Sequence, residues 1–242
     1  MTFPISNLPS RRLARIAGIL YLLIIISGIF AEFFVRSGLI VVGNAAETAS
    51  KIMASESIFR IGIAGDFIMI ICDVALALVF YILFKPVDKI LSLLAAFFRL
   101  IQAAILGMNL LNLFSVLQIL SGAAYLTVFP ADQLQAEMMF FLNAHQSGYA
   151  IGLVFFGIQC FVLGYLIIKS DFIPGILGIL LIIAGFAYLF DSFASFLFMN
   201  YAYHKELFTM VVFLPAFIAE LALCLWLLIK GVRVQAKDNH IH

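Results

Sequence analysis

The stretch GDFIMIICDVALALVF sets two carboxylates, Asp66 and Asp73, in a run otherwise suited to hydrocarbon. Each would cost about 2.5–3.5 kcal/mol at the centre of a membrane-crossing helix, so each should turn away from lipid and meet a partner. Seven residues fall about 20° short of two helical turns, so the two share one face, about 10 Å apart along the axis. For Asp73 the partner follows from counting. Arg99 is the only basic residue deep in an apolar run, and the two stand equally far from a turn centred near Pro86. An antiparallel hairpin would bring them to one depth, which predicts a structural Asp73–Arg99 ion pair.

Other polar residues extend this face. Arg99, Gln102 and Asn109 lie within about 80° of one another on a helix, with Asn112 nearby. His145, Tyr149 and Gln159 share a face of the next apolar segment. Glu32 comes near the end of the first segment, Asp191 and Ser192 near the end of the fifth, and Glu220 at mid-depth in the sixth, a turn after Pro215. The candidate ligand-binding set is therefore Glu32, Asp66, Asn109, Asn112, His145, Tyr149, Asp191 and Glu220. Its four acids face only His145 as a possible cation, and Asp66 has no partner as good as Arg99. Such an imbalance calls for protonated carboxyls, a bound cation or a water-filled cavity. The competing role is structural, since hydrogen bonds and ion pairs between helices also hold a bundle in register.

The elements that must position these residues are legible in the composition. Of 242 residues, 65% are hydrophobic and 11% charged, a balance of polytopic membrane proteins rather than soluble domains. A net charge of +1 gives no field for nucleic acid. Cys72, Cys160 and Cys224 are scattered through apolar runs without metal or disulfide spacing. No cofactor or metal site is expected: HExxH and GxSxG are absent.

Six segments reach the roughly 20 apolar residues that a span needs, at about 13–35, 58–84, 89–120, 145–168, 173–198 and 208–230. The first resembles a signal peptide, but its apolar run is too long and no small-residue cleavage site follows, so it reads as an uncleaved span. GNAAETASKIMASES and PADQLQAEMMFFLNA read as two short amphipathic helices on the membrane surface. The expectation is an all-α, six-helix membrane bundle over residues 13–231, with tails at 1–12 and 232–242. Basic residues concentrate at one set of ends (Arg11, Arg12, Arg15, Lys85, Lys89, Lys169, Lys230, Arg233 and Lys237), which predicts both tails in the cytoplasm. His204 falls in an outer connection, and His240 and His242 in the C-terminal tail, where they carry little information.

From about Arg12 to Val232 the chain resembles a bacterial multi-pass membrane family catalogued as domain of unknown function 4386. The resemblance rests on ARIAGILYLLIIISGIFAEFFVRS, ASESIFRIG with CDVALAL, FRLIQAAILGMNLLN, GLVFFGIQCFVLGYLI, PGILGILLIIAGFAYLFDSF and LPAFIAELALCLWLLIKG. It implies a six-span protein of the bacterial inner membrane and supplies no activity or catalytic residues. Function is therefore expected from the polar set alone. The first reading is binding or transport of a small polar or cationic solute through an outward-facing pocket. An intramembrane enzyme acting on lipid or peptide near the outer leaflet is the alternative, and a structural or partner-binding subunit the third.

Overall fold

The computed structural model describes residues 11–199 and 201–232; both tails, with Arg233, Lys237, His240 and His242, lie outside the described residues. Among the described residues seven α-helices follow one another: α1 (Arg11–Leu39), α2 (Ala45–Ala54), α3 (Glu56–Phe84), α4 (Lys89–Ile119), α5 (Ala131–Lys169), α6 (Gly175–Leu197) and α7 (Tyr201–Ile229). All but α2 are long and apolar enough to cross a membrane. The protein is an integral, multi-pass membrane protein.

Local chemistry explains the boundaries. Pro86 lies in the three-residue turn closing α3, and the Asp88 carboxylate then caps α4 by accepting from the backbone N–H groups of Ile90 and Leu91, each at 3.0 Å. Pro130 and Pro174 immediately precede α5 and α6, where a missing N–H costs nothing. Asn44 accepts from Glu47 N at 3.0 Å to start α2, after Gly43 turns the chain at a positive φ.

Two helix starts differ markedly from the sequence expectation. PADQLQAEMMFFLNA does not form a separate surface helix but the first turns of α5, one uninterrupted 39-residue helix. No glycine or proline separates Ala131 from Gln146, so nothing stops the helix before it enters the apolar run. Likewise α7 starts at Tyr201, ahead of the expected 208, so that the His204 segment is helical backbone rather than loop.

The six long helices form a closed ring in chain order, each packed on its sequence neighbour, with α7 returning against α1. Closure depends on Gly18, where a Cβ would stand 2.8 Å from the backbone nitrogen of Leu228. The α5–α6 contact is drawn tight by two glycine pairs, Gly157 with Gly185 and Gly164 with Gly178, each facing the other's carbonyl oxygen. One end of the ring, the turn face, carries the 85–88 and 170–174 connections. The opposite loop face carries α2, which buries Thr48, Ala49 and Ile52. Ala49 and Ile52 join Phe59, Ile63, Leu110, Leu113, Met138 and Leu142 in a cluster of their own, so α2 and the start of α5 make a lid on that end.

Candidate functional site: two polar layers inside the ring

Near the middle of the bundle every long helix contributes a polar side chain. Tyr21, Asp73, Arg99, Gln159, Tyr188 and Glu220 all stand about 9–13 residues, roughly 14–20 Å, from the turn-face ends of their helices. Arg99, only 1% exposed, is at the centre. Its Nη2 lies 2.6 Å from Asp73 Oδ1, and Nη1 donates to Gln159 Oε1 at 3.4 Å. The rings of Phe156, Tyr21 and Phe80 surround the guanidinium carbon at 5.3, 5.4 and 6.0 Å. These π faces take up charge that no oxygen meets, since Arg99 Nε has no hydrogen-bond acceptor. Gln102 Nε2 reaches the second Asp73 oxygen at a long 3.5 Å. The hydroxyl of Tyr188 donates to Glu220 Oε1, and Tyr21 stands beside the same carboxyl.

Toward the loop face a second layer forms from α1, α3, α4 and α5. Here the expectation for Asp66 is corrected, because it has a strong cation. Arg36 Nη1 donates to Asp66 Oδ2 at 2.6 Å and Nη2 to Oδ1 at 3.2 Å, while Nε donates to Glu32 Oε2 at 2.7 Å. Arg36 reads as an outer-loop residue in the sequence. In the structure α1 continues to Leu39, and its Phe30–Arg36 segment is wound as a π-helix. That wider winding coincides with Arg36 turned inward, 5% exposed, rather than toward lipid. The spacing of Glu32 and Arg36, one helical turn apart, was the available signal.

Asn109 and His145 clasp α4 to α5. Asn109 Nδ2 donates to the His145 carbonyl at 2.8 Å, and His145 Nδ1 lies 3.4 Å from the Asn109 carbonyl oxygen. Gly148 makes this possible, because a Cβ there would fall on the Asn109 amide. Asn112 donates to Asn109 Oδ1 at 2.9 Å. Asp66, Asn109, His145 and Tyr149, with Met69, Ile70, Leu106 and Leu110, line a cavity of about 10 Å³. That is about the least space that holds one water. Leu110 belongs also to the apolar cluster that α2 joins, so the cavity adjoins that cluster.

The eight candidate residues thus do not form one site. Asp66, Asn109, His145 and Tyr149 line the cavity, and Glu32 and Asn112 support it through Arg36 and Asn109. Glu220 belongs to the deeper Arg99 layer. Asp191 accepts from the Tyr201 hydroxyl at 2.8 Å, where α6 meets α7 near the loop face. Tyr201 lies outside the spanning part of α7, and burial together with this bond raises its phenol pKa. Sequence reasoning missed Tyr21 and Tyr188 as well as Arg36. Tyrosines well inside a span, away from the interface that suits them, were the sign. Among the described residues no group of three His, Cys, Asp or Glu side chains is placed to hold a metal.

Residues 16–231 match the family model described as domain of unknown function DUF4386, so the chain belongs to that family. It is also 32% identical over 169 residues to an uncharacterized protein of the archaeon Archaeoglobus fulgidus, an alignment covering 70% of this chain and 83% of that one. With an archaeal relative, family membership does not assign a bacterial source. No solved structure matches the chain.

Proposed function

We propose that this DUF4386 protein binds, and in a transport cycle would pass, a small polar or cationic solute at the cavity between Asp66, Asn109, His145 and Tyr149. The observation that carries the reading is the cavity itself: a small space inside a membrane bundle on which a carboxylate, an amide, an imidazole and a phenol converge, next to the apolar cluster of a short helix. Its size is that of about one water, so a larger solute would have to open it. Asp66 is held by Arg36 and not by the fold as a whole, so a cationic or hydrogen-bonding solute gains the carboxylate by displacing one side chain. Glu32, whose side chain is 56% exposed, gives Arg36 a place to go.

The reading places the loop face outward. Arg11, Arg12, Arg15, Lys85, Lys89, Lys169 and Lys230 stand at the turn-face ends. On the loop face Lys51 and Arg60 are paired with Glu47 and Glu56, and Arg36 is committed inside. This asymmetry favours cytoplasmic termini and an inner-membrane location. A structural role is supported by one observation, that Asp66 and Asp73 each have an arginine. An intramembrane enzyme has less in its favour, since His145 is engaged in the Asn109 clasp.

The test is thermal unfolding of purified protein in detergent, screened against inorganic cations, polar metabolites and lipids. A solute at a hundred times its dissociation constant stabilises by about 2.7 kcal/mol. The expected result is a solute that raises the midpoint of the wild type and not of Asp66→Asn. A screen without any such solute, or an equal response from the variant, leaves the structural role in its place.

A further inference from the structure

The Arg99 layer holds more acid than base. Asp73 and Glu220 are both buried, at 1% and 9% exposure, and Arg99 is the cation they share. Its close ionic contact goes to Asp73, at 2.6 Å. Glu220 meets hydroxyls instead, Tyr188 donating to its Oε1 and Tyr21 adjoining it. Around Glu220 the ring supplies Tyr21 from α1, Asp73 from α3, Arg99 from α4, Cys160 from α5 and Tyr188 from α6. Arg99 is the only cation among these groups. One guanidinium cannot balance two carboxylates, and an uncompensated charge at this depth is expensive.

We infer that Glu220 is a proton-binding site at the centre of the membrane, neutral while Arg99 is engaged by Asp73. Its carboxyl then makes hydrogen bonds and no ion pair, which suits the two tyrosines that face it. If Arg99 turned from Asp73 toward Glu220, the proton would pass from Glu220 to the stranded Asp73, so that charged and neutral carboxyls change places between two helices, α3 and α7, on opposite sides of α1. The layer is thus a place where a proton is held and handed between helices as they shift, whatever solute the outer cavity takes. The inference rests on the Arg99 layer alone and stands or falls independently of the Asp66 site.

Infrared spectroscopy of the purified protein at neutral pH tests it, reading the carbonyl stretch of protonated carboxylic acids. The wild type should show such a band, lost in Glu220→Gln, shifted in Glu220→Asp, and unchanged in Asp66→Asn. Because glutamine is a neutral isostere of the protonated acid, Glu220→Gln should also fold and melt within a few degrees of the wild type. A band undiminished in Glu220→Gln, or no band in the wild type, overturns the inference. So does a Glu220→Gln protein that fails to fold while Glu220→Asp folds, since that would mean the site requires a negative charge.

Discussion

At the scale of single residues, buried charge in this protein is managed by arginine. Arg36 forks between Glu32 and Asp66, and Arg99 combines one carboxylate with three aromatic faces. Removing one partner of a buried pair strands the other, at about 3–5 kcal/mol. Arg36→Gln should therefore lower thermal stability by that order, and the Arg36→Gln/Asp66→Asn double variant should regain most of it. A double variant no more stable than Arg36→Gln would show that the two side chains are not coupled. Tyr201 makes a separate prediction. With its pKa raised, the folded state favours the neutral phenol. Its contribution is complete below the ordinary phenol value of about 10 and disappears as pH rises through the higher folded value. In ultraviolet titration, the difference between the wild type and Tyr201→Phe should be a phenol ionising above the ordinary range, and Asp191→Asn should shift that step down.

At the scale of elements, two local departures from regular helices control the polar layers. The π-wound end of α1 coincides with an inward-facing Arg36, and the glycines of α5 and α6 permit backbone contact that larger residues would forbid. At Gly164 a Cβ would come within 2.6 Å of the Gly178 carbonyl oxygen. A backbone atom cannot move aside as a side chain can, so Gly164→Ala should destabilise by about 1–3 kcal/mol. Gly107, on α4, has nothing within 4 Å of the corresponding position. There alanine should be neutral or stabilise by up to about 1 kcal/mol, the ordinary helix preference. Melting temperatures of the two variants, purified in parallel, decide the point. Equal losses would mean that the α5–α6 approach is not a tight one.

At the scale of the whole molecule, the ring makes the interior accessible from all six spans and leaves lipid only the apolar outer faces. Ile71, Leu78, Ile90, Phe186 and Met210 are among the exposed apolar side chains, as a bilayer-facing surface requires. Orientation can be measured because Cys72, Cys160 and Cys224 are all buried and should give little background. A cysteine introduced at Val128, 75% exposed on the loop face, should react in intact cells with a reagent that cannot cross membranes. One at Val87 in the turn after α3 should not. The reverse pattern would invert the molecule and move the cavity to the cytoplasmic side.

Composition and spacing by themselves determined the class of the protein, the six spans and the depth at which Asp73 and Arg99 stand. Those properties depend on apolar length and on residues counted from a short turn, both of which are local. The merging of the second surface segment into α5 was also local in cause, the want of a helix stop, although its composition resembled a surface helix. Which acids meet was decided only by the tertiary structure. Sequence reading grouped Glu220 with Asp66 because both are acidic and lie within spans. The ring separates them by layer, and assigns Arg36 to one and two tyrosines to the other. Depth along a helix can be counted from its ends, whereas rotation about its axis depends on neighbours. In α1 a single π-wound stretch changes that rotation, and with it the partner of Asp66.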